Sequence, residues 1–185
     1  MNPQPFPWIF PYLEEERVQG GDFLVKPLLR PVVTVRLVGM RTGSQNLAAL
    51  VDSGSDHTVA APWVAQDIGV QPDSSREIML KIGGAPRRVR FADVIMQLLP
   101  PERGVFEGGY DPAEVHEWQV QMGFFTEWQS PPWNVVLGQV GFFDRFTVSL
   151  NRDAQALAIS DLTQFDDWFP QPTADSPPRR PRFTP

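Results

Sequence analysis

Short β-branched and apolar runs, separated by turn residues, dominate the middle of the chain. Residues 32–38 are a β-branched run that ends near Gly39, and 46–51 are a short apolar run suited to a buried strand. Runs at 78–82 and 87–94 flank Gly83-Gly84-Ala85-Pro86. Two strand-like runs around a Gly-Gly tip predict a hairpin. Strands are also expected at 118–125 and 135–137, and a second hairpin joins 146–150 to 154–159 across Asn151-Arg152-Asp153. Helical segments are short: 61–69, with Pro62 suited to a first turn, and 140–145. Many short strands with frequent turns imply an all-β barrel or sandwich.

Proline changes the picture at both ends. Pro3, Pro5, Pro7 and Pro11 crowd the first segment, and six more occupy the last, from Pro170 to Pro185. Each removes a backbone donor and fixes φ, so these segments suit neither helix interiors nor central strands. The expected organisation is a proline-rich arm over 1–23, a folded domain over 24–162 and a disordered tail over 163–185. The arm keeps Phe6, Trp8, Ile9, Phe10 and Tyr12 available for packing. Residues 99–117 break the strand rhythm with prolines and glycines and read as a long surface loop.

Composition then removes whole classes of function. A chain of 185 residues fits one domain with tails. It has no cysteine, which excludes disulfide scaffolds, thiolate metal sites and cysteine nucleophiles. His57 and His116 are its two histidines, too few for a multi-histidine metal site. No metal and no cofactor is called for. Net charge is −6, from 22 acids and 16 bases, so nothing points to nucleic acid or an anionic membrane. No apolar run reaches the ~18 residues of a membrane span. The start of the chain lacks the basic residues of a signal peptide. A cytoplasmic location is the expectation.

Chemistry is concentrated in Leu50-Val51-Asp52-Ser53-Gly54-Ser55. Two apolar residues carry a strand into the core, a carboxylate follows, and glycine permits a sharp turn that exposes it. A carboxylate at the end of a buried strand is costly unless solvated or paired, and catalysis is one reason to bear that cost. The other reading is a plain turn, for which Asp-Ser-Gly is suited anywhere.

The chain resembles the retropepsin family, the retroviral-type aspartic proteases and their cellular relatives, over about residues 24–162. The segment 50–55 looks like the catalytic loop, and Ile82-Gly83-Gly84 like the tip of the flap. Val136-Leu137-Gly138 resembles the apolar-apolar-Gly signature that crosses beneath the loop, and Arg30-Pro31 the family's N-terminal strand. The resemblance implies a closed, mostly antiparallel β-barrel with one or two short helices and a flap hairpin. It also implies aspartic endopeptidase activity on peptide or unfolded-protein substrates. Asp52, Ser53 and Gly54 would form the catalytic triplet. Ser55, Asp56, His57, Ile82, Gly83 and Gly84 would line the substrate site. Arg30 and Asp56 would form a latch across a dimer. Two departures stand out: Gln139 replaces the usual arginine, so support for Asp56 must differ, and Ser53 stands where many members have threonine.

Only one Asp-Ser/Thr-Gly occurs, whereas this chemistry needs two carboxylates facing one water. A twofold homodimer supplies the second. A hydrogen bond from the Ser55 hydroxyl to the Asp52 carboxylate is a further expectation. The alternative is a catalytically silent domain of the same fold, used for interaction or dimerisation. Among other candidates, Asp52-x-Gly-x-Asp56 lacks the glycine and glutamate spacing of a calcium loop. His57 suits either the cleft or the surface, and His116 the surface. Trp118, Trp128 and Trp133 suit the core or strand pairing.

Overall fold

The computed structural model describes residues 7–15, 28–40, 42–82, 84–101, 115–128 and 133–162. In chain order the elements begin with β1 (Trp8–Pro11), β2 (Leu13–Glu15), β3 (Leu28–Arg30), β4 (Val32–Val38), β5 (Leu47–Val51) and β6 (Val59–Ala60). Helix α1 (Pro62–Asp67) follows, then β7 (Asp73–Ile82), β8 (Ala85–Leu98), β9 (His116–Phe125), β10 (Val135–Leu137), β11 (Phe146–Asn151) and β12 (Ala156–Asp161).

The main sheet closes on itself. Its strand order is β4-β5-β10-β6-β9-β8-β7, and β4 also pairs with β8. The ring runs β4-β5-β10-β6-β9-β8 and back to β4, with β7 attached outside it. Most ladders are antiparallel, as expected, but β10 pairs parallel with β5 and β6 pairs parallel with β9. The β7–β8 hairpin projects from the ring because β8 is long. Its first half pairs with β7, from Ala85 to Phe91, and its last residues, Ile95 to Leu98, pair with β4.

Alternation along each strand builds two apolar clusters on opposite faces. The larger fills the ring with Val33, Val35 and Leu37 of β4, Leu47, Ala49 and Val51 of β5, and Val135 and Leu137 of β10. Trp118 belongs to it, with its indole Nε1–H donating to the Gly141 carbonyl at 3.1 Å. The smaller comprises Val59, Val89, Phe91 and Phe125, with Leu80, Ile82, Trp128 and Val136 packed against it. The end of β9 is buried on both faces, so Phe124 faces the large cluster and Phe125 the small one.

Three differences from the sequence reading have clear causes. The first segment carries a strand despite its prolines: β1 is an edge strand on β12, and its alternate residues Trp8 and Phe10 enter the core. An edge position tolerates the donor lost at Pro11. Helix α1 forms with Pro62 at its start, but 140–145 is not helical: Val140 bridges to His57 and 141–145 is a chain of turns. Gly141 sits there at φ +100°, outside the helical region, and its N–H donates to Asp144 Oδ2. The hairpin strands also extend further than expected, taking Ala85 and Pro86 into β8. The tail from 163 onward and most of the 99–117 loop lie outside the described residues. Among the described residues, no helix is long and apolar enough to cross a membrane.

Candidate active site

Strand β5 delivers Asp52 to its place. Leu47, Ala49 and Val51 are buried in the large cluster, so alternation turns Ala48, Leu50 and Asp52 to the other face. That face is shared with Val136, which pairs with Leu50, and with Val59, which pairs with Val136. The carboxylate therefore emerges beside the smaller apolar cluster. It is half-buried, and its Oδ1 accepts the Gly54 N–H at 2.9 Å. Ser55 N–H donates to the Asp52 carbonyl at 3.1 Å, closing the turn. Ser53 and Gly54 lie exposed at its apex.

Strand β10 and the residues after it lace this loop in place. Asp52 N–H donates to the Leu137 carbonyl at 3.0 Å, Gln139 N–H to Ser55 at 2.8 Å, and Val140 N–H to Asp56 at 3.0 Å. Thr58 N–H returns a bond to Val140 at 2.9 Å. Gly138 sits at the crossing. A Cβ there would lie 2.4 Å from the His57 carbonyl oxygen and 2.7 Å from that of Ser55, both backbone atoms. Only glycine lets the two segments touch.

Two side chains complete the lacing. The fully buried Thr58 hydroxyl accepts the Gly138 N–H at 3.1 Å. Sequence reasoning missed it, because a lone threonine before an apolar pair carries no distinctive signal. Gln139 Nε2 donates to the Ser53 carbonyl at 2.7 Å. Gln139 thus braces the loop backbone, not the Asp56 carboxylate.

The remaining predicted residues fall in three places. Asp56 is exposed, while Ser55 and His57 are half-buried. Ser55 Oγ donates to the His57 carbonyl at 2.8 Å, so the expected bond to Asp52 is not made: a hydroxyl has one proton to give. The His57 ring meets Phe91 edge-on, with centroids 5.2 Å apart. Phe91 and Ile82 belong to the same cluster, which links the loop to the hairpin. Ile82 pairs with Ala85 at the hairpin end, and Gly84 takes φ +82° there with open space around it. Gly83 lies outside the described residues. Arg30 ends β3, half-buried and paired in register with Leu13.

His116 is not a surface group. It is half-buried at the start of β9, with its ring 5.1 Å from Phe146. Burial holds its pKa below the ordinary 6.5, the Arg145 charge adds to this, and Asp161 opposes it. A separate open groove runs between α1 and the β7–β8 hairpin, lined by Gln66, Gln71, Asp73 and Arg76 among others. It contains none of residues 52–57.

No family model matches the chain, and no curated protein matches it. Among solved structures it is similar to EIAV protease complexed with the inhibitor HBY-793, at 16% identity and a TM-score of 0.33. That match covers 65% of this chain and 88% of the other.

Proposed function

We propose that the protein is an aspartic endopeptidase whose active site is built from two copies of Asp52, one from each subunit of a homodimer. The observation that carries this reading is the placement of Asp52. A strand end presents a half-buried carboxylate beside an apolar cluster, on a loop fixed by backbone hydrogen bonds to residues 137–140. Preorganisation of this kind is what a reacting group requires.

In the dimer, two facing carboxylates share one proton, because adjacent like charges resist ionising together. The ionised Asp52 takes a proton from a water held between them. The water oxygen attacks the scissile carbonyl carbon, and the partner subunit's Asp52 gives its proton to the carbonyl oxygen. Collapse of the tetrahedral adduct breaks the C–N bond, and a proton passes to the leaving amine. Positioned proton transfers of this type contribute ~10²–10⁴-fold each. The β7–β8 hairpin serves as the flap over an extended peptide, and no cofactor is required.

The test is cleavage of an unfolded protein by wild type and Asp52→Asn across acidic to neutral pH. Wild-type cleavage that is lost in a folded Asp52→Asn variant is expected. Specific activity should also fall on dilution, since the site exists only in the dimer. Activity retained by purified Asp52→Asn would end the aspartic-protease reading. A folded wild type that dimerises without cleaving would favour an interaction module instead.

A further inference from the structure

Strand β8 carries Arg87, Arg88 and Arg90, and alternation sends them to different faces. Arg88 and Arg90 project to the face opposite the small cluster, where acids occupy them. Arg90 Nε donates to Glu77 at 2.7 Å, and Arg88 lies 3.2 Å from Glu77 and 3.5 Å from Glu127. Arg87 shares its face with the buried Val89 and Phe91. It is thus on the small-cluster face of the hairpin, near its end.

Arg87 has no carboxylate partner among the described residues. Its guanidinium carbon stands 4.5 Å from the centroid of the Trp128 ring, and its Nε is closed off from solvent with no hydrogen-bond acceptor. Trp128 is itself backed by Phe125, with ring centroids 5.1 Å apart. A stacked guanidinium keeps its planar fork oriented for a carboxylate, and the surrounding apolar wall strengthens such a pair. Glu77 and Glu127 are engaged by Arg88 and Arg90. The hairpin therefore offers an oriented, uncompensated cation at the border of an apolar surface.

We propose that Arg87, held on Trp128, is a specificity-determining residue that selects substrates carrying an acidic side chain beside an apolar one. The apolar side chain rests on the half-buried Leu80, Ile82 and Val136 that border the small cluster, and the carboxylate meets the guanidinium. This assignment rests on the peptide cleft proposed above, but it concerns binding and needs no turnover.

The experiment uses the full chain with Asp52→Asn, so that peptides bind uncleaved. The probes are C-terminally amidated apolar hexapeptides with Glu, Gln or Lys placed at each position in turn, read by fluorescence anisotropy. At one position the Glu peptide should bind about tenfold more tightly than the Lys peptide. Adding Arg87→Glu should reverse that order. Adding Arg87→Met, which keeps aliphatic contact with Trp128, should level it. A second set with free C-terminal carboxylates distinguishes side-chain from chain-end recognition. Tighter binding confined to the free-acid set would overturn the side-chain assignment. Equal affinity for Glu, Gln and Lys peptides, no binding of any, or an order unchanged by Arg87→Glu would overturn it entirely. Loss of the proteolytic reading alone looks different: wild type binds the Glu peptides and never cleaves them.

Discussion

Gly138 and Thr58 show how little tolerance the site has at single positions. A methyl group at 138 meets backbone on the opposing segment, which cannot swing aside as a side chain would. Gly138→Ala should therefore destabilise the fold by several kcal/mol, at the upper end of single-substitution effects. Thr58→Val keeps shape but removes the acceptor for the Gly138 N–H. Leaving that buried donor unpaired should cost about 1–3 kcal/mol. Urea unfolding of both variants checks the order, with Gly138→Ala the more damaging. Among these residues legibility was uneven. Gly138 stood out as part of Val-Leu-Gly, and Asp52 through its triplet. Thr58 and the Arg87–Trp128 stack depend on contacts between distant segments, so no local pattern announces them.

At the scale of elements, local chemistry was readable where a strand is long or a turn is distinctive. The run 32–38 became β4 because β-branched residues suit a strand buried over most of its length. Strand β6 has two residues, too few for any periodicity, and takes its identity from its neighbours β9 and β10. The predicted helix over 140–145 failed on one backbone angle at Gly141. Strand β9 makes its own prediction through His116. Its folded-state pKa is depressed, so below about pH 6.5 the unfolded chain takes up a proton that the folded one resists. Its contribution to stability is complete above that pH and is lost as pH falls through the folded value. Unfolding midpoints measured from about pH 7.5 to about pH 5 should fall less steeply in His116→Phe than in wild type.

For the whole molecule, the strand pattern predicted an all-β domain and two of its hairpins, β7–β8 and β11–β12, and the resemblance predicted closure, whereas the pairings of β4 with β8 and of β6 with β9 join distant segments that carry no local signal. The dimer is a proposal at this scale, and its latch is separately testable. Asp56 is exposed on the loop and has no ion-pair partner among the described residues. Its side chain is not held by Gln139, whose amide goes to Ser53. A bidentate grip from the partner subunit's Arg30 is the proposed use of that carboxylate. Arg30→Ala and Asp56→Ala should each weaken dimerisation in sedimentation experiments, and the double variant should be far from additive. Additive losses would leave strand pairing to account for the dimer.

The pairing of β1 with β12, which sets Trp8 against Ile159, also has a meaning in time. The first strand emerges early in synthesis, yet its hydrogen-bonding partner is among the last parts of the folded domain to be made. Until then Trp8 and Phe10 have no finished surface to cover. Contacts between such distant segments close slowly, and folds dominated by them mature in milliseconds to seconds, not microseconds. A nascent chain can thus contain the whole 52–57 loop well before the molecule is sealed end to end. The β1–β12 ladder can close only once both strands have been made.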